Sequence, residues 1–257
     1  MVLYQLKGCS MQIFSANITN NNNVFGHNNP WADSPYKRNQ QVLVGLTTAA
    51  GVFAGMACHA KYKGYSLNPT KMFKNIKNSY WGKVEFDDKP VIIIGAGSCL
   101  GGLTGGYLID KDKENRKAKM RETLLQMTNI SLPIIFTTRL AKWGQNLGNK
   151  YWDKNRPKEL HTFRTKVPQG IFAMAGLIAG VFTANVVANK INEHLFRQGK
   201  GRPVQASDFS AHLDDICVAA RQVSNSKITD YIQKLVPIAL MVAGNEVGNT
   251  TVANADS

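Results

Sequence analysis

The stretch KPVIIIGAGSCLGGLTGGYLID, from Lys89 to Asp110, decides the fold class. Between its two charged ends stand 20 residues without a charge. A hydrocarbon layer about 30 Å thick is crossed by about 20 helical residues, because each residue advances a helix by about 1.5 Å. The stretch therefore has the length and the character of a helix that spans a membrane.

The glycines of this stretch allow a second interpretation. An apolar run followed by Gly95, Gly97 and Gly101 is similar to the strand and phosphate-binding turn of FAD- and NAD-binding proteins. That fold also needs a helix after the turn and an acidic residue on a second strand about 20 residues later. Here four glycines within six residues would weaken the helix, and residues 112–122 are a charged stretch without a strand pattern. An FAD/NAD-binding oxidoreductase that uses residues 95–101 stays an alternative.

Long uncharged runs recur along the chain, with 22, 20, 16 and 23 residues between successive charged positions. A helix on the surface of a soluble protein must show a polar face at every turn, so such gaps are rare there. Buried core helices of a soluble protein remain the alternative, because the mean hydropathy is only −0.22. The runs predict membrane spans near residues 41–60, 90–109, 123–138 and 167–189.

Small residues recur every four positions in these runs, which places them on one face of a helix. Such ridges let two backbones approach closely and are typical of helix contacts in lipid. In the stretch quoted above, Ser98, Gly102 and Gly106 repeat the pattern one position further on. We therefore predict a glycine zipper whose helix-packing residues are Gly51, Gly55, Gly97, Gly101, Gly105, Gly176 and Gly180.

Basic and aromatic residues fill the loops between the runs. Residues 69–83 have apolar and lysine faces at helical spacing, as in an amphipathic helix that lies in the headgroup layer. Residues 139–158 repeat this composition, and tyrosine and tryptophan are enriched at membrane interfaces. The predicted membrane-interface residues are Lys71, Lys74, Lys77, Tyr80, Trp81, Trp143, Tyr151 and Trp152.

The two ends of the chain differ from the middle. Residues 1–40 are rich in Asn and turn formers, which predicts a disordered arm. Residues 191–257 predict a small helical C-terminal region with a polar tail. There His212 and Asp215 are two possible metal ligands on one helix face, but a metal site needs at least a third ligand. We predict no catalytic, cofactor-binding or metal-binding residues.

The chain is basic, with 31 Lys and Arg against 17 Asp and Glu and a net charge of +14. The basic residues lie between the uncharged runs and form neither a zinc finger nor an RNA-binding strand pattern, so no nucleic acid is expected as a partner. Anionic lipid headgroups suit their position beside the predicted spans. A homo-oligomer or a helical membrane partner would use the glycine ridges.

The sequence thus predicts an all-α, polytopic integral membrane protein with about four glycine-zipper helices. The predicted role is structural or assembly-related rather than enzymatic. A small channel or translocase subunit is an alternative, because basic four-helix chains resemble the mitochondrial inner-membrane translocase family in outline. The charged signature of that family, an Arg followed four residues later by an Asp, does not occur in this sequence.

Overall fold

The computed structural model describes residues 36–67, 80, 84, 86–151, 158–196 and 235–252, and only the backbone of 158–163. These residues form helices and connecting segments without a strand, which confirms the predicted all-α class for this part of the chain. Most of the predicted Asn-rich arm and the amphipathic helix at 69–83, apart from Tyr80, lie outside the described residues. The helices are α1 (Arg38–Tyr62), α2 (Asp88–Ile109), α3 (Lys113–Lys150), α4 (Lys158–Leu195) and α5 (Val236–Asn249).

Local sequence explains where several helices begin and end. The Asp112 side chain accepts a hydrogen bond from the Glu114 amide at the start of α3, as an N-cap residue does. Pro237 stands at the start of α5, where a missing N–H costs little. After α1, Gly64 has a φ of 76°, and the Tyr65 amide bonds back to the Ala60 carbonyl at 2.9 Å. This left-handed turn favours glycine and closes the helix.

Among the described residues, three helical segments are long and apolar enough to cross a membrane: α1, α2 and the Arg164–Leu195 part of α4. The predicted spans near 41–60, 90–109 and 167–189 fall within them. The predicted span at 123–138 lies inside α3, which is not one of the three. Its 16 uncharged residues are flanked directly by Glu122 and Arg139, so the apolar part of this long helix falls short of the about 20 residues that a crossing needs.

The helices pack as a group around α2, with α4 attached through α3. Helix α1 lies antiparallel to α2 on one side, and α5 lies parallel to α2 on the other. Helix α3 contacts both α2 and α5, and its longer contact is with α4, to which it runs antiparallel. One end of the molecule therefore gathers the start of α1, the ends of α2, α4 and α5, and the start of α3.

The apolar core sits mainly near the opposite end, where α1 ends and α2 begins. Smaller clusters join α2 to α5 through Cys99, Leu103 and Val247, and α3 to α4 through Ala141 and Ala173. The main cluster comprises Val52, Met56, Ala60, Tyr80, Phe86, Val91, Ile94, Ile134, Val236 and Leu240.

The outer face of α4 carries large apolar side chains that are exposed. They follow one another at helical spacing along the side of α4 that faces away from α3. These exposed side chains are Val167, Ile171, Met174, Ile178, Phe182 and Val186. Such a face is unfavourable in water but suits lipid chains.

Candidate functional site: a helix junction of glycines and buried charges

One glycine ridge of α2 lies against α1. A Cβ atom placed on Gly101 would be 3.1 Å from the Gly51 Cα, and one placed on Gly55 would be 2.8 Å from the Ile94 Cα. Real Cβ contacts are seldom this short, so these positions have no room for a side chain. The structure brings five of the predicted helix-packing glycines into this contact: Gly51, Gly55, Gly97, Gly101 and Gly105.

The second ridge of α2 lies against α5. The Ser98 hydroxyl donates to the Leu240 carbonyl at 2.6 Å, and a Cβ on Gly106 would lie 2.8 Å from the Gly248 carbonyl oxygen. Gly102 faces Gly244 at a distance that also excludes a side chain. The predicted site residues do not include Gly244 or Gly248. Their four-residue spacing in "GNEVG" is the signal that would have identified them.

The hairpin of α3 and α4 has a similar contact. A Cβ on Gly176 would lie 2.8 Å from the Thr137 Cα, and one on Gly180 would meet the backbone of Pro133. On α3, Gly144 and Gly148 make matching close approaches to the backbone of α4. These two glycines, also four residues apart, are absent from the predicted set because they lie beyond the uncharged run.

A buried lysine of α3, Lys119, contacts residues from three other segments at the end of the bundle where α2 stops. The Lys119 side chain has no exposed surface, and its Nζ lies 3.7 Å from Asp110 Oδ2. The same ammonium donates to the Tyr36 hydroxyl at 2.8 Å and to the Thr250 carbonyl, which follows α5. Burial lowers the pKa of Lys119 to about 8, although the Asp110 carboxylate opposes this shift.

Asp110 is the anionic partner in this cluster. Burial by itself would raise its pKa, but the hydrogen bond from the Tyr36 hydroxyl and the nearby Lys119 charge outweigh burial and hold the pKa below its ordinary value. Arg116 donates to the Asp110 and Tyr107 carbonyls at 2.8 and 2.9 Å. A guanidinium at this place binds the free carbonyls at the end of α2.

An acidic pair, Glu122 of α3 and Glu246 of α5, lies toward the middle of the molecule. The Gln126 amide nitrogen donates to Glu122 Oε1 at 2.8 Å and to Glu246 Oε2, on α5, at 3.2 Å. Burial, and then the charge of Glu122, raise the pKa of Glu246 to about 7. None of these ionisable groups was predicted as a site residue. The spacing of Lys119, Glu122 and Gln126 on one helix face, and the single charge in "LVPIALMVAGNEVG", are the signals that would have identified them.

At the opposite end, Tyr80 belongs to the core rather than to a membrane interface. The structure leaves it 2% exposed, with its hydroxyl hydrogen-bonded to His59 Nδ1 at 2.9 Å and its ring edge-on to Tyr65. Burial raises the pKa of Tyr80 to about 12. The prediction expected this ring at a membrane interface, whereas the structure buries it in the main apolar cluster.

Two other predicted interface residues are exposed. Trp143 is 56% exposed and packs edge-on against Phe172, and Tyr151 is 72% exposed with Lys150 over its ring. The remaining predicted interface residues lie outside the described residues: Lys71, Lys74, Lys77, Trp81 and Trp152.

Residues 95–101, on which the dinucleotide-binding alternative depends, lie in the middle of α2. A continuous helix replaces the strand and tight turn that the alternative requires, because the glycines pack against other helices. Within the described ranges, no three His, Cys, Asp or Glu side chains come together as metal ligands. The two possible ligands His212 and Asp215 lie outside those ranges.

Comparisons with known proteins give no match, whether with family models, with curated proteins or with solved structures.

Proposed function

We propose that this chain is an integral membrane protein with a structural or assembly role that depends on close helix packing. The observation that carries the proposal is the contact of α2 with two helices at once, through glycines on two neighbouring faces. Close approach of backbones through small residues holds helices together where no hydrophobic effect drives them. The proposal assigns no reaction to the chain.

The surroundings we propose are a bilayer with anionic headgroups. The exposed apolar face of α4 would contact lipid chains, and the lysines next to the helix ends would contact headgroups. We further propose that α3 crosses as a fourth helix, since it lies antiparallel along α4 through the Gly176 and Gly180 contacts. Because the glycine ridges are occupied by contacts within the chain, a second copy or a helical partner would use the exposed apolar face of α4.

Extraction of membranes at alkaline pH with carbonate tests the proposal. An integral protein stays in the membrane pellet under this treatment, whereas a peripheral or soluble protein is released. We expect the full-length chain in the pellet together with an integral marker protein. Its appearance in the supernatant would contradict the proposal.

A small channel or translocase subunit is a second candidate, favoured by the buried charges. Ionisable groups within a membrane bundle are costly and often mark a path for ions or protons. Lys119 is buried and Glu246 is half-buried beside the apolar spans. Reconstitution into liposomes, with dye or ion release as the readout, separates the two roles. A monomer that leaks nothing favours the packing role, and flux from a defined oligomer favours the channel.

A further inference from the structure

Three buried oxygen atoms without hydrogen-bond partners belong to residues at the contact of α1 with α5. They are Thr48 Oγ1, Asn245 Oδ1 and Asn249 Oδ1, and each residue is at most 6% exposed. Buried side-chain oxygens in folded proteins are nearly always hydrogen-bonded, so a group of three calls for a ligand.

The register of the two helices places these oxygens along one line. Val44 of α1 contacts Gly248 of α5, and Asn245 Oδ1 lies 3.9 Å from the Cβ position of Gly45. Thr48 follows Val44 by one helical turn, and Asn249 follows Asn245 by one turn on the same face. The Asn249 amide nitrogen donates to the Asn245 carbonyl at 2.9 Å, which leaves Asn249 Oδ1 as an acceptor.

Thr48 differs from most other helical threonines of the protein in this respect. Thr104, Thr123 and Thr183 each donate their hydroxyl to the carbonyl one turn earlier, at 2.7 to 2.8 Å. Such a bond satisfies the hydroxyl without a ligand. The Thr48 hydroxyl makes no bond of this kind.

We propose that the contact between α1 and α5 is an internal water-binding site. Amide oxygens only accept hydrogen bonds, and a threonine hydroxyl both donates and accepts, so the ligand must do both. Water meets this requirement, and buried waters in proteins bridge such groups. The Asn249 end of the site lies next to Thr250, whose carbonyl accepts a hydrogen bond from the buried Lys119. The proposal goes beyond the structural role because it gives the bundle a hydrated interior.

The sign of a stability change tests the proposal. Thr48→Val removes the hydroxyl and keeps the shape of the side chain. If water is bound, the substitution removes a water contact, and we expect the Tm of the full-length protein in detergent to fall by about 2–4 °C. If the site is dry, the substitution removes an unpaired buried hydroxyl, and the Tm rises. Thr123→Val, which removes a hydroxyl already paired within its own helix, is the matched control.

A second measurement does not depend on a variant. In full-length protein labelled with ¹⁵N on asparagine, we expect magnetisation transfer from long-lived water to the side-chain amides of Asn245 and Asn249. Assignment uses the loss of each signal in the Asn245→Asp and Asn249→Asp proteins. Absence of transfer at both amides, or a rise of Tm in Thr48→Val beyond that of the control, overturns the proposal.

Discussion

Gly102 and Gly45 are both helical glycines, but their surroundings differ. A Cβ on Gly102 would overlap the backbone of Gly244, whereas a Cβ on Gly45 would lie 3.9 Å from its nearest neighbour, Asn245 Oδ1. Gly102→Ala should therefore lower the free energy of unfolding by about 1–3 kcal/mol through overpacking. Gly45→Ala should leave it unchanged or raise it by up to about 1 kcal/mol, because alanine favours a helix. Denaturant unfolding in mixed micelles measures the free energy of unfolding of both variants. Equal changes in the two variants would contradict the close contact of α2 with α5.

Lys119 illustrates the cost of a buried charge that loses its partner. Lys119→Met leaves Asp110 buried without its cation and Thr250 without a donor, and should destabilise the protein by about 3–5 kcal/mol. The double variant Lys119→Met/Asp110→Asn removes both charges and should recover part of this loss. Thermal unfolding of the single and double variants gives the coupling. A single variant as stable as the parent would show that the pair does not hold this end together.

Glu246 should make stability depend on pH. Its pKa in the folded protein is about 7, above the ordinary value of 4.5, because of burial and of Glu122 on α3. Between these values the folded state keeps a proton that the unfolded state has lost. The stabilisation is complete below about pH 4.5 and is lost as the pH rises through about 7. We expect the Tm of the parent protein to fall as the pH rises from about 4.5 to about 7, and the Tm of Glu246→Gln to fall less. Parallel profiles of Tm against pH would show that Glu246 is not the group responsible.

At the scale of elements, α4 depends on α3 in a way that the other helices do not. Gly176 lies against the α3 backbone, while its neighbour Ala175 is exposed. Gly176→Leu should open the hairpin and raise hydrogen–deuterium exchange in α4 and the second half of α3, with α1 and α5 unchanged. Ala175→Leu places the same side chain on the outer face and should leave exchange unaltered. Exchange that rises throughout the bundle in Gly176→Leu would show that α4 is not a separate element.

At the same scale, α5 shows why a short apolar run can be central. Its 14 residues are too few to cross a bilayer, yet it contacts α1, α2 and α3. Glycines face α2, Asn245 lies toward α1, and Glu246 reaches α3. The length and hydropathy of α5 do not predict that it packs between three helices. That packing depends on glycines on one face of α5, an asparagine on a second face and a glutamate on a third.

For the whole molecule, the antiparallel order of the helices predicts which ends share a side of the membrane. If α1, α2 and α3 all cross, Lys113 lies on one side, and Lys63 and Tyr151 lie on the other. Single cysteines at these positions, in a variant without the four native cysteines, can be labelled with an impermeant maleimide in sealed vesicles. We expect Lys63→Cys and Tyr151→Cys to react alike and Lys113→Cys oppositely. If Tyr151→Cys reacts like Lys113→Cys instead, α3 does not cross.

The sequence by itself determined the helical class and the positions of three apolar helices, because charge gaps and the repeat of small residues are local properties. It also marked Gly97, Gly101 and Gly105 as a ridge, although it did not identify the helix that the ridge contacts. The predicted span at 123–138 differed from the other three because its uncharged run has only 16 residues, although the helix that contains it, α3, has 38.

Only the tertiary structure decided which ridge meets which helix, and which charges are buried. Gly244 and Gly248 matter because they face α2, and Lys119 matters because Asp110, Tyr36 and Thr250 converge on it from distant parts of the chain. Likewise Tyr80 belongs to the core because its hydroxyl and its ring contact His59 of α1. Contacts between residues far apart in sequence depend on how the helices are arranged, and helical periodicity specifies only the face of each helix, not its neighbour.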